Sequence, residues 1–139
     1  MTCVNYNELN SRQQENYNFQ KVSAILADYG FVTMRLTDDW QGADFIAQHI
    51  NGETFLKVQL KGRLTFERKY LEKDIYIAFQ NKGVWYLFPH DELLKKVLRE
   101  TNIANTKSWA SGGYSFPYLT VKLGELLRPY RIFPFEGED

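Results

Sequence analysis

Hydrophobic and polar positions change their period along this chain, and each change marks an element. Between Ser11 and Tyr29 the apolar residues Phe19, Val22, Leu26 and Tyr29 fall three and four apart, which predicts a helix with one buried stripe. Ser11 is its N-cap candidate, and Gln14 three residues on would complete a capping box. Gly30 suits the left-handed position that ends a helix. Glu15 lies on the apolar stripe, four residues before Phe19. "FVTMRL", Phe31 to Leu36, reads as a strand and "TDDWQG" as a polar connection. "GADFIAQHINGETFLKVQLKGR", Gly42 to Arg63, then reads as a hairpin turning at Asn51-Gly52, because both residues tolerate the positive φ of a type I′ turn. With Ile50 facing Glu53, facing residues carry numbers that sum to 103. Asp44 then lies opposite Gln59, and Lys61 points to the same face as Gln59, since strand side chains alternate.

The second half follows the same logic. "RLTFERKYLEK", Arg63 to Lys73, has no clean period and reads as a loop. "DIYIAFQ" and "VWYLFPH" are two further strands joined at Asn81-Lys82-Gly83, with Trp85, Tyr86 and Phe88 assigned to the core. His90-Asp91 leads into the helix "DELLKKVLRE", whose inner face is Leu93, Leu94, Val97 and Leu98. "NIANTKSWASGGYSFPY" reads as a long loop, a class more often functional than decorative. "LTVKLGELLRPY" is a short amphipathic helix stopping before Pro129. The order helix, strand, hairpin, hairpin, helix, helix predicts an α/β or α+β domain, with a central mixed sheet of about five strands flanked by helices. A length of 139 residues suits one domain over 1–139.

Composition narrows the class. A hydrophobic share of 44% argues for a folded globule and against disorder. The single cysteine, Cys3, leaves no partner for an internal disulfide and no cysteine metal cluster, which fits a reducing, cytoplasmic compartment. The polar start "MTCVNYNELNSRQQ" has no secretory signal, and no apolar run approaches the ~20 residues of a membrane span, so no membrane partner is expected. Seventeen basic residues balance 17 acidic ones, which counts against strong non-specific nucleic-acid binding. The distribution is uneven. Lys57, Lys61, Arg63, Arg68, Lys69 and Lys73 stand against only Glu67 and Glu72, while the acids of "EGED" offset them at the far end of the chain. Phe66 and Tyr70 interleave with these cations, a pattern suited to stacking on bases.

A helix with an inward Glu15, a strand, and a hairpin bearing Asp44 and, fifteen residues on, Gln59-Leu60-Lys61 resemble the PD-(D/E)XK nuclease superfamily, the fold of type II restriction enzymes and archaeal Holliday-junction resolvases. The resemblance covers roughly Ser11 to Phe88. It implies a restriction-endonuclease-like core and a DNA endonuclease dependent on Mg²⁺ or Mn²⁺. Asp44 would be a metal ligand, Gln59 a weaker one through its side-chain carbonyl, and the backbone carbonyl of Leu60 a third. Glu15 would add an auxiliary acid, and Lys61 would be the catalytic cation. Such chemistry suits these types, because hard divalent ions take oxygen ligands and a compact ammonium can stabilise charge growing on phosphate. Two departures stand out: no Pro precedes Asp44, and Gln59 replaces the second acid. Arg63, Arg68, Lys69 and Lys73 are candidate DNA contacts through phosphate. Cutting both strands of a duplex with one site per chain implies a homo-oligomer.

The competing reading is a non-catalytic module of the same fold that binds DNA or a protein partner, an immunity or antitoxin-like role included. His49 and His90 are expected to be structural or solvated. Trp109 and Tyr114, in "SWASGGYSF", would either touch DNA or lock their loop.

Overall fold

The structure, a computed structural model, describes residues 1–40 and 42–137, with the backbone alone for Asp39 and Trp40; Glu138 and Asp139 of the acidic C-terminus lie outside it. After a single 3₁₀ turn at Tyr6–Glu8 comes α1 (Ser11–Asp28). Its cap is Asn10, one residue earlier than the pattern predicts. Asn10 Oδ1 accepts the Gln13 N–H and Gln13 Oε1 accepts the Asn10 N–H, both at 2.9 Å, so a complete capping box displaces the one expected from Ser11 and Gln14. Gly30, at φ +87°, ends the helix as expected.

Strands β1 (Phe31–Trp40), β2 (Ala43–His49) and β3 (Phe55–Leu60) pair antiparallel in succession, and β3 then pairs parallel with β5 (Ile75–Asn81). β6 (Val84–Pro89) returns antiparallel to β5, and β8 (Arg131–Ile132) adds a short edge, giving the order β1-β2-β3-β5-β6-β8. The sheet is mixed and has six strands, against the five expected. The extra one is two residues long, too short for a period to reveal.

Helix α1 covers one face, burying Val22, Ile25 and Leu26 against Phe45, Val58, Ala78 and Trp85. On the other face, Ile77, Phe79, Tyr86 and Phe88 meet α2 (His90–Glu100) and α4 (Val121–Leu127) through Leu93, Val97 and Leu127. The assignment of Trp85, Tyr86 and Phe88 to the core holds, although Trp85 faces α1 and the other two face α2. Among the described residues no helix is long and apolar enough to cross a membrane.

Three expectations need correcting. The β2–β3 turn is not a two-residue type I′ turn, since Asn51 is not among the residues with positive φ. Instead Gly52, at φ +75°, donates its N–H to His49 O, and Asn51 Oδ1 accepts the N–H groups of Glu53 and Thr54, which builds a four-residue loop over 50–53. That loop has the same centre as the expected turn, so the register survives: Phe45 faces Val58 and Ala47 faces Leu56. The segment Arg63 to Lys73 is ordered, with β4 (Thr65–Glu67) followed by a 3₁₀ turn at Arg68–Tyr70. The long loop after α2 is also structured. It contains α3 (Lys107–Ser111) and β7 (Gly113–Ser115), and β7 pairs with β4 in a separate two-stranded ribbon. Gly113 permits the close pairing, because a Cβ there would lie 2.7 Å from Phe66 O.

Candidate active site

The β2–β3 ladder stops at Phe45 and Val58. Two positions further along β3, the N–H of Leu60 donates to Asp44 Oδ2 at 2.9 Å, so a carboxylate takes the place of a ladder carbonyl where the strands part. Asp44 there borders a cavity of about 150 Å³ whose other walls include Glu15 and Phe19 of α1, Arg35 and Asp38 of β1, and Leu60. An adjoining cavity of about 200 Å³ is walled by Tyr6, Gln14, Glu15, Leu60 and Lys61, among others. Glu15 and Leu60 belong to both, so Asp44 and Lys61 flank a shared wall.

Lys61 is held from two sides. Its N–H donates to Ala78 O at 2.9 Å, which carries the parallel pairing one residue past β3. Its Nζ donates to Glu67 Oε2 at 2.9 Å and lies 5.3 Å from the centre of the Tyr70 ring. The backbone of Glu67 is fixed in turn, with its N–H donating to Nε2 of the fully buried His90 at 3.1 Å. Since Nε2 accepts, the imidazole proton sits on Nδ1, which donates to Asp91 Oδ1 at 2.8 Å. Asp91 Oδ2 closes the network by accepting the Glu72 N–H at 2.8 Å.

This network sets the charges. Burial lowers the His90 pKa, and that outweighs the opposing pull of Asp91 and Glu67, so His90 is neutral as its bonds require. For Glu67, burial pushes the carboxyl up, but hydrogen bonds from Lys61 and Tyr70 and the charges of Lys61 and Lys69 bring it below the ordinary value. Lys61 and Glu67 therefore form an ion pair.

Gln59 sits apart. It pairs with Ile77 on β5, lines neither cavity, and leaves its Oε1 buried without a hydrogen-bond partner. Asp38 and Glu67 also belong here, and no motif in the sequence marks either. Asp38 lies in a stretch read as connection that is in fact the end of β1, and Glu67 was counted only as an acid within a basic run.

The donors suit a hard divalent ion in part. Glu15, Asp38 and Asp44 line one small cavity and offer only oxygen, the ligand such ions prefer. Among the described residues no three acidic, histidine or cysteine side chains stand close enough to enclose an ion unaided. Mg²⁺ does not require that, since it keeps several waters and binds through one or two carboxylates and phosphate. The orphaned Gln59 Oε1 is an acceptor still lacking a partner.

The cations proposed for DNA divide into two kinds. Arg63 Nε donates to Ser115 Oγ at 2.7 Å, and Arg68 Nε donates to Trp109 O at 2.7 Å with its guanidinium 4.6 Å from the Trp109 ring centre. Both brace the β4–β7 ribbon. Lys69 and Lys73 have exposed positions. Phe66 and Tyr70 are buried, at 0% and 2% exposure, so the expectation that they stack on bases is wrong: they fill the core beneath the ribbon. Trp109 is buried as well and locks its loop, whereas Tyr114 is only partly buried. His90 is structural, as expected, and His49 packs edge-on against Phe31.

No family model matches the chain, and no curated protein matches it in sequence. The solved structures similar to it in fold include two nucleases. One is the Holliday junction resolvase Hjc of Archaeoglobus fulgidus, at 19% identity and a TM-score of 0.44, over 55% of this chain and 72% of that one. The other is the bacterial homing endonuclease I-Ssp6803I, at 12% identity and a TM-score of 0.46, over 80% of this chain and 78% of that one. The chain's fold resembles that of these two nucleases.

Proposed function

We propose that this chain acts as a single-domain, divalent-metal-dependent nuclease that hydrolyses phosphodiester bonds of DNA. The observation that carries the reading is the placement of Asp44 and Lys61 on adjoining cavities that share Glu15 and Leu60, where the β2–β3 ladder opens. Asp44 and Glu15 would hold the ion, with the Leu60 carbonyl a further oxygen at the same wall. A bound divalent ion supplies charge neutralisation at phosphate and a lowered pKa for water. The chain's own part is positioning. The Leu60 amide orients the Asp44 carboxylate, and Glu67 fixes the Lys61 ammonium, a point charge for the phosphate oxygens on which negative charge grows. Two copies would serve the two strands of a duplex, which makes a homodimer the expected assembly.

A second reading is favoured by Gln59. A neutral amide, its oxygen buried and outside both cavities, stands where the resemblance expects an acid, which suits a nuclease-fold module that binds DNA or a protein without cutting. Incubation of plasmid and branched DNA with Mg²⁺ or Mn²⁺ separates the two, run beside Asp44→Ala and Lys61→Ala. Cleavage lost in both variants is the expected result. Cleavage that persists in both would move the chemistry elsewhere, and no cleavage on any substrate by the unaltered chain would favour the binding module.

A further inference from the structure

A cavity of about 550 Å³ lies outside the site just described, between the β4–β7 ribbon and α3. Its walls carry Arg68 and Lys69, the hydroxyls of Thr65, Ser108 and Ser111, and the partly buried Tyr114. One acid, Glu67, lines it, and that charge is already matched by Lys61. Lys69 is the second cation: its side chain is 67% exposed, and it pairs with Glu67 only at 3.9 Å. In a chain of zero net charge, this cleft is a local surplus of positive charge.

The catalytic cavity has the opposite sign. Glu15, Asp38 and Asp44 face Arg35 there, so without a cation it repels phosphate. Binding must then be supplied elsewhere, and the cleft is linked to the catalytic side by one residue. Glu67 lines the cleft and also grips Lys61 Nζ at 2.9 Å.

We infer that the cleft between the β4–β7 ribbon and α3 binds the phosphate backbone of a nucleic-acid strand, away from the bond to be cut. Lys69 and the guanidinium of Arg68 neutralise the backbone, and the Ser111 hydroxyl donates to a phosphate oxygen. The contacts carry no base information, so binding is independent of sequence and sensitive to salt. This inference extends the nuclease reading, yet it needs neither metal nor turnover to be tested.

The experiment is fluorescence anisotropy with a short labelled oligonucleotide, single-stranded and duplex, in EDTA across a salt series. The unaltered chain is compared with Lys69→Ala, Ser111→Glu and, as a control on α2, Lys95→Ala. Lys69, Ser111 and Lys95 are all exposed, so melting temperatures should not move. Lys69→Ala is expected to flatten the plot of log affinity against log salt by about 0.7–0.9, the contribution of one phosphate contact. Ser111→Glu, which puts a carboxylate in the cleft wall, should weaken binding about tenfold or more. Wild-type slope and affinity in both variants would overturn the inference, as would an equal loss in Lys95→Ala or no binding by the unaltered chain. Loss of binding in the cleft variants beside an uncut plasmid would sustain the cleft and reject the nuclease. A cut plasmid with unchanged cleft variants would do the reverse.

Discussion

His90 ties the stability of this protein to pH. The imidazole is fully buried and both nitrogens are committed, Nε2 to the Glu67 N–H and Nδ1 to Asp91. Protonation would set a second N–H against the Glu67 amide at 3.1 Å. The folded-state pKa is depressed, chiefly by burial, whereas an unfolded chain takes up the proton near about 6.5. Below that value the unfolded state binds more protons than the folded one. Stability therefore falls with falling pH, by about 1.4 kcal/mol per unit at the steepest, until the folded pKa is reached. Glu67 and Asp91 both titrate below their ordinary values, so neither contributes there. The variant that tests this is His90→Phe, which keeps a ring beside Phe66 and Tyr70 but removes both hydrogen bonds. Leaving the Glu67 amide without its acceptor should cost about 1–3 kcal/mol at pH 7.5. Urea unfolding between pH 5 and 7.5 reads both quantities. The wild type should lose stability across the range and His90→Phe much less. Parallel pH slopes in the two proteins would refute the reasoning.

Glu67→Gln should lower stability at pH 7 by about 1 kcal/mol, since the pair with Lys61 is partly exposed. Because the Glu67 pKa is depressed, its contribution is present above the ordinary carboxylate range and lost as pH falls through the folded value. The gap in melting temperature between variant and wild type should thus narrow from pH 7 to pH 4. Gly30→Ala should cost about 1–2 kcal/mol in urea unfolding, because φ is +87° and a Cβ would lie 2.8 Å from His49 Nε2. An unchanged midpoint would mean that the helix end relaxes without strain.

What the sequence made legible was local. The register of β2 on β3 could be read because alternation and a short turn fix it, and it survived a wrong turn type because the four-residue loop shares its centre. The α1 cap slipped by one residue because two overlapping patterns, Asn10 with Gln13 and Ser11 with Gln14, both satisfy the rule. The ribbon was hidden for a different reason. Thr65 meets Ser115 across fifty residues, and a three-residue strand carries no period of its own. Phe66 and Tyr70 were misread with it, since nothing local distinguishes an aromatic beneath a ribbon from one on a surface. At the site, Asp44 and Lys61 were visible through the hairpin, whereas Glu67 depended on the partner strand that holds it.

The two sheets share no strand, and this has a consequence for how the molecule comes apart. The hairpins of the large sheet close loops of a few residues, while joining β4 to β7 closes a span of about fifty, a dearer constraint in chain entropy. Phe66 nevertheless roots β4 in the same buried cluster as Ile77, Phe79 and Phe88 of the large sheet, so the ribbon opens only where that cluster opens with it. Such opening would carry Glu67 away from Lys61, because the carboxylate rides on β4 and the ammonium on the end of β3. The grip on the ammonium is thus as durable as the packing of Phe66 beneath β4.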